Sequence, residues 1–367
     1  MPRIEIPPTP DAVTAPWLTE VLHRAGVLGP DTHVSGFVGE AVGAGVGVMG
    51  VLLRATLTYA GASAPGAPTS VIVKLPSPYE QNRAQGVGLG MYEAEVRFLN
   101  ELAASTPVRV PTVYLADIVS GTAEFVIVME DLGHLTIGDQ IVGLPVAQAT
   151  AAALALADVH AAWWGKVQTP ELEWIPSVVH PRIQGLAGMW PDIWAGFTAK
   201  FGYVLPPGAV EVGEQVKLRY WALMEALGTM PWTLLHQDFR VDNLFFDDLG
   251  SDAPVVVIDW QGLGRGPAVY DLAYFLGSSL TVEDRRAHEH TIVRAYHDRL
   301  VERGVAGYGF DELWTGYRMG MLSGLSTAVL VGATFDLANE RGTALVEVLG
   351  SRHFAGAVDL DALELLP

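Results

Sequence analysis

The chain contains no cysteine. Disulfides, thiolate nucleophiles and Cys-ligated zinc are therefore excluded. Basic residues are scarce: 22 Lys and Arg stand against 41 Asp and Glu, for a formal charge of -19. Such a chain does not suit sequence-independent binding to nucleic acid, which sets Lys and Arg against phosphates, nor an anionic membrane surface. Charged residues make up only 17% of the chain and hydrophobic ones 50%, so a well-buried globular protein is expected and a disordered one is not. Long apolar runs are also missing. The longest, residues 319–335, is interrupted by Ser323, Ser326, Thr327 and several glycines, and reads as a buried helix, not a membrane span. The first residues, MPRIEIPP, have the features of neither a signal nor a transit peptide, so a cytoplasmic protein is expected.

The 367 residues give room for one two-lobed unit with a large second lobe. A short helical pattern covers 16–25. Strand patterns follow at 34–45, 48–59 and 70–75, a helix at 90–104, and two more strands at 112–117 and 123–130. Beyond Glu130 the character turns helical, at 147–164, 212–227 and most of the chain to residue 366, with short strands at 233–235, 244–246 and 255–258. Residues 165–208 read as loop-rich and aromatic. The expectation is an α+β protein: an antiparallel-sheet N-lobe with one helix over 1–132, and a larger, mainly helical C-lobe over 133–367.

The most informative segment is LLHQDFRVDNLFF at 234–246, where His236, Asp238 and Asn243 stand in the spacing H-x-D-x-x-x-x-N. Next comes VVVIDWQ at 255–261, an apolar strand that delivers Asp259 to its end. The turn-like residues between the two runs predict a hairpin, which brings Asn243 and Asp259 to one end. Phosphoryl transfer from ATP consists mostly of positioning and charge neutralisation. One carboxylate must accept the proton of the attacking hydroxyl, which suits Asp238. A carboxylate and an amide must hold Mg²⁺, a cation that prefers hard oxygen ligands, which suits Asp259 and Asn243.

Lys74 is the one lysine of the first lobe and lies in the apolar strand SVIVKLP. A buried ammonium needs an anion; an ATP phosphate and a carboxylate would supply it. Helical geometry selects that carboxylate, because Tyr92, Glu95, Leu99 and Leu102 share one face, which leaves Glu95 inside an apolar stripe. Glu93 lies on another face, four residues before Arg97, as an ordinary surface pair. Upstream, GAGVGVMG at 43–50, with Gly43, Gly45 and Gly47, is a glycine-rich turn whose backbone N–H groups suit phosphates.

In this order the residues resemble the protein-kinase-like fold, and within it the small-molecule branch of aminoglycoside and choline phosphotransferases and ecdysteroid-kinase-like proteins. The segments 258–261 and 95–98 look most like the ecdysteroid-kinase-like group. The resemblance spans about residues 34–275. It implies an ATP- and Mg²⁺-dependent kinase acting on a small-molecule hydroxyl, and it makes Asp271, in GPAVYDLA at 266–273, a structural carboxylate bracing the catalytic loop. It also makes VMEDL at 128–132, with Glu130 and Leu132, the hinge whose backbone holds the adenine. Gln237 departs from the glycine usual in aminoglycoside kinases. Arg240 falls inside the loop, where it either helps neutralise the γ-phosphate or lies at the surface.

Other classes remain for comparison. An aminoglycoside-type antibiotic phosphotransferase shares these motifs. A catalytically silent nucleotide-binding regulator would share the fold, yet every expected polar group is present. A protein kinase is disfavoured, because no Ala-Pro-Glu segment follows Asp259. For the acceptor, residues 160–208 hold Trp163, Trp164, Trp174, Trp190, Trp194, Phe197, Phe201 and Tyr203. Three acids (Glu171, Glu173, Asp192) balance three bases (Lys166, Arg182, Lys200) there. Aromatic walls without excess carboxylate favour an acceptor with an apolar body, sterol-like or hydroxyacyl, over a polycationic amino sugar. His160 reads as a helix-packing histidine, and His288, His290 and His297 as a solvated face.

Overall fold

The computed structural model describes residues 3–43, 49–61, 66–334 and 340–367. The chain forms two compact units, Met1–Ala104 with Val110–Leu135, and Ser105–Arg109 with Thr136–Pro367.

The first unit opens with α1 (Ala15–Arg24). Thr14 caps it, its hydroxyl accepting the Trp17 N–H, and Pro16 sits in the first turn, where a backbone donor is dispensable. Then come β1 (Thr32–Val42), β2 (Gly50–Gly61), β3 (Ser70–Pro76), α2 (Glu80–Gly88), α3 (Met91–Arg97), β4 (Val113–Ile118) and β5 (Phe125–Glu130). The strands make one antiparallel sheet in the order β1-β2-β3-β5-β4. β3 is central, and side chains alternate across it. Val71, Val73 and Leu75 pack with Leu18, Val21 and Leu22 of α1. Ile72 and Lys74 therefore face the other side, where Tyr92 and Val96 of α3 pack with Phe125 and Ile127.

Two differences from expectation fall here. The helix expected over 90–104 is α3 followed by a wider π-type turn at Phe98–Leu102. α2 precedes it and has no apolar stripe, since only Gly86 is buried, so periodicity does not reveal it.

The second unit contains β6 (Thr136–Ile137), α4 (Val146–Trp163), α5 (Pro181–Phe201), α6 (Ala209–Leu227), β7 (Trp232–Leu235), β8 (Leu244–Phe246), β9 (Val255–Val257), β10 (Gly264–Pro267), α7 (Val269–Ser279), α8 (Val282–Glu302), α9 (Phe310–Thr334) and α10 (Glu340–Asp359). β6-β8-β9 and β10-β7 form two small sheets. α9 is the expected buried helix, with Leu322, Leu325, Ala328 and Val329 fully enclosed. Among the described residues no helix is long and apolar enough to cross a membrane.

The stretch 165–208 is not mainly loop: α5 runs for 21 residues. Its buried Trp190, Ile193, Trp194, Phe197 and Phe201 follow helical spacing. Pro191 and three glycines inside the helix obscure that stripe, because each argues against helix on propensity alone. Trp190 packs on Tyr220, and Trp194 and Phe197 pack on Phe354, all inside the core.

α7, α9 and α10 close around His353, which is fully buried; among the described residues neither ring nitrogen has a hydrogen-bond partner. A Cβ on Gly277 would meet the ring at 2.7 Å and one on Gly324 at 2.9 Å, so these glycines make its slot. Burial, and then the charges of Arg285 and Arg352, lower its pKa from 6.5 to about 3. The unfolded chain binds this proton near pH 6.5 and the folded chain does not, so stability falls as the pH is lowered through that range. Between pH 7 and 5 the loss is about 2 kcal/mol. Denaturant titrations at each pH should show it, and His353→Met, with a flexible side chain that can fill the slot, should flatten it. An equal slope in the variant would assign the effect to other groups.

Candidate active site

β7 ends in the loop 236–243, and α7 supplies the group that shapes it. The Asp271 carboxylate is fully buried and accepts the backbone N–H groups of His236 at 2.7 Å and Gln237 at 2.9 Å. These two bonds hold Gln237 at φ 62°, in a left-handed conformation that costs a non-glycine residue roughly 1 kcal/mol or more. His160 of α4 lies behind, with Nε2 3.4 Å from Asp271 and Nδ1 2.5 Å from the Tyr296 hydroxyl. It packs the helix as expected and also supports this carboxylate.

The imidazole of His236 ties the loop to the following hairpin. Its Nδ1 accepts the Asp238 N–H, so Nε2 carries the proton and donates to the Ile258 carbonyl at 3.0 Å. β8 and β9 pair antiparallel, Leu244 opposite Val257. The Ile258 N–H then donates to the Asn243 carbonyl at 3.1 Å. Asp259 comes next, half-buried and left-handed at φ 64° and ψ 62°. The structure thus brings Asn243 and Asp259 to one end of the hairpin.

Three side chains converge on the Asp238 carboxylate. Asn243 Nδ2 donates to Oδ2 at 2.9 Å, the Tyr274 hydroxyl donates to Oδ1 at 3.1 Å, and Arg240 Nε reaches both oxygens at 3.1 and 3.2 Å. Arg240 also donates to Asp242 at 2.7 Å. Burial alone would lower the Arg240 pKa, but Asp238, then Tyr274 and Asp242, outweigh it and raise the value above the ordinary arginine range. Arg240 is therefore an ion-paired residue with 14% of its side chain exposed, not a surface group.

The loop is also held from behind. Gln140 is fully buried; its N–H donates to Asp242 and its Oε1 accepts the Val241 N–H. Arg352 of α10 clamps this segment, donating to the carbonyls of Gln140, Ile141, Val142 and Ser278 at 2.9–3.3 Å. Sequence reasoning singled out neither Tyr274 nor Asp242. The signal for Tyr274 is its place three residues after Asp271, on the same face of α7.

In the first unit, Lys74 Nζ lies 2.8 Å from both carboxylate oxygens of Glu95, and both residues are buried. Glu93 accepts from the Ser120 hydroxyl, and Arg97 pairs with Glu101 at 2.8 Å. Gly43 ends the described part of the first strand pair at φ 69°; Gly45 and Gly47 lie outside the described residues. The Glu130 carboxylate accepts the Thr112 N–H at 3.0 Å, and the Leu132 carbonyl accepts the Leu135 N–H at 2.8 Å. Asp131, which the sequence reading left without a role, accepts a fork from Arg54 and the Ser70 hydroxyl. Burial favours its protonation, but these donors and the Gly133 N–H together lower its pKa.

On α8, His288 and His290 are exposed and His290 packs edge-on to Phe310 and Trp314. Among the described residues no cluster of three His, Asp or Glu could hold a metal ion.

Residues 66–318 match the model of the phosphotransferase enzyme family. No curated protein matches the chain. Among solved structures, a macrolide 2'-phosphotransferase from Brachybacterium faecium is 18% identical with a TM-score of 0.50, over 91% of this chain and 97% of that one. An amicoumacin kinase in complex with AMP-PNP and Ca²⁺ is 13% identical with a TM-score of 0.51, over 91% and 92%. A spectinomycin phosphotransferase in complex with ADP and spectinomycin is 13% identical with a TM-score of 0.52, over 95% and 99%. At these identities the likeness is one of fold, which is kinase-like.

Proposed function

We propose, from the premise that the chain belongs to the phosphotransferase enzyme family, that it transfers the γ-phosphate of ATP to a hydroxyl group of a small molecule. The observation that carries this reading is the Asp238 carboxylate, set by three donors on a loop whose next strand pair ends at Asn243 and Asp259. Asp238 takes the proton as the acceptor oxygen bonds to the γ-phosphorus; the bond to the β-phosphate oxygen breaks and ADP leaves.

Bound Mg·ATP supplies the phosphoryl group and the charge neutralisation. The donor set fits it. Asn243 spends Nδ2 on Asp238, which leaves Oδ1 as the atom to present, and Asp259 adds a carboxylate. Two hard oxygen donors suit Mg²⁺, whose remaining ligands would come from phosphates and water. Lys74, braced by Glu95, would meet the phosphates, Arg240 would share their charge, and the turn at Gly43, Gly45 and Gly47 would offer N–H groups. The 130–132 backbone would hold the adenine. The nucleotides in the amicoumacin kinase and spectinomycin phosphotransferase structures support the choice of an adenine nucleotide. The motifs at 258–261 and 95–98 favour a place near the ecdysteroid-kinase-like group.

For the acceptor, the balanced charge of residues 160–208 still favours an apolar body over a polycation. Trp190, Trp194, Phe197 and Phe201 lend this no support, because they lie in the core. An aminoglycoside-type acceptor is the alternative. A screen for ADP release against sterols, hydroxyacyl-CoA thioesters, choline and amino sugars decides between them. Turnover confined to kanamycin-type sugars would reject the apolar acceptor. Mg·ATP binding without turnover on any compound would favour a silent nucleotide-binding protein. Asp259→Ala is expected to weaken Mg·ATP binding at least ~100-fold; unchanged affinity by calorimetry would remove Asp259 from the metal site.

A further inference from the structure

We propose that Tyr274 is a positioning residue for phosphate transfer, its phenol fixing the carboxylate of Asp238 toward the acceptor. The inference rests on the reading of Asp238 as the base.

α7 presents two polar groups to the catalytic loop from one face, Asp271 and, one turn on, Tyr274. Asp271 holds the backbone of residues 236 and 237, and Tyr274 holds the side chain of 238, at 3.1 Å from Oδ1. Three successive loop residues are thus referred to one helix. The Tyr274 ring is buried and stacks on His353, with centroids 5.4 Å apart and planes 18° from parallel. Burial, and next the Asp238 charge, push the phenol pKa well above 10, so the hydroxyl remains a donor.

The other two donors on Asp238 have further work: Arg240 bonds Asp242, and Asn243 keeps its second amide atom for a metal. Tyr274 fixes the orientation of the carboxylate when those two groups engage phosphate and metal. A buried tyrosine needs a partner for its hydroxyl in any case, so the test must separate positioning from simple satisfaction.

ADP release is measured with the most active hydroxyl compound of the screen. Tyr274→Phe is expected to lower kcat about tenfold, the worth of a hydrogen bond to a charged group, with KM for Mg·ATP unchanged. In Asp238→Asn, adding Tyr274→Phe should cost nothing more, because the phenol acts through Asp238. A wild-type rate in Tyr274→Phe, a parallel rise in KM for Mg·ATP, or an equal loss in both backgrounds overturns the inference. Should Tyr274→Phe not fold, tyrosine labelled with ¹³C at Cζ decides. One resonance of the 11 tyrosines, belonging to a buried ring, should move in Asp238→Ala, and no movement refutes the contact. A parent protein without turnover overturns the kinase reading and this inference with it, whereas an active parent matched by Tyr274→Phe overturns this inference alone.

Discussion

Asp238→Asn lowers the rate of phosphate transfer about 10²–10⁴-fold and leaves Mg·ATP affinity close to that of the parent. The substitution keeps the size of the side chain and removes its basicity, its charge and one of its two acceptor oxygens. The carboxylate side chain is 36% exposed, so an acceptor hydroxyl can reach it. Asp242 still pairs with Arg240 in the variant, so the guanidinium is not stranded. Single-turnover transfer and calorimetry read the two quantities separately. Full turnover in the variant would take the base role away from Asp238, and a large fall in Mg·ATP affinity would mean that it serves the metal.

Lys74→Met and Glu95→Leu each lower stability by about 3–5 kcal/mol, because each breaks a buried ion pair. The pair of substitutions together restores most of that loss, since two apolar side chains of similar volume replace two desolvated ions. Affinity for Mg·ATP does not return with it. Lys74 and Glu95 are 8% and 4% exposed and bonded through both carboxylate oxygens, so water screens them little. Denaturant midpoints test the first half and calorimetry the second. A double variant that binds Mg·ATP like the parent would make the pair purely structural.

The groups that stand out in the sequence do so for local reasons. His236, Asp238 and Asn243 fall within eight residues, and Asp259 ends an apolar run, so their hairpin follows from nearby chain chemistry. Lys74 and Glu95 are each a charge inside an apolar pattern, and the structure pairs them. Distance along the chain and uniform burial hide the rest. Ten of the eleven residues of α7 are buried, so it has no polar face against which Tyr274 could be noticed. Its partner lies 36 residues upstream. α5 is masked by Pro191 and its glycines, and α2 by its lack of an apolar stripe. The tryptophans of α5 suggested a ligand wall, because composition records how many rings a segment holds and not which way they turn. Arg240 shows the same limit: its two acids are close in sequence, yet only the folded loop sets both on one guanidinium.

The clamp made by Arg352 gives the chain a timetable. Synthesis runs from the N-terminus, so the loop around Asp238 leaves the ribosome well before α10 does. Roughly a hundred residues separate Asn243 from Arg352, which at ~5–20 residues per second is an interval of about 5–20 s. For that interval the carbonyls of Gln140, Ile141, Val142 and Ser278 lack the guanidinium that gathers them. The nascent chain thus carries its full set of motif residues before the loop that bears them is tied down from behind, and α10 completes the set.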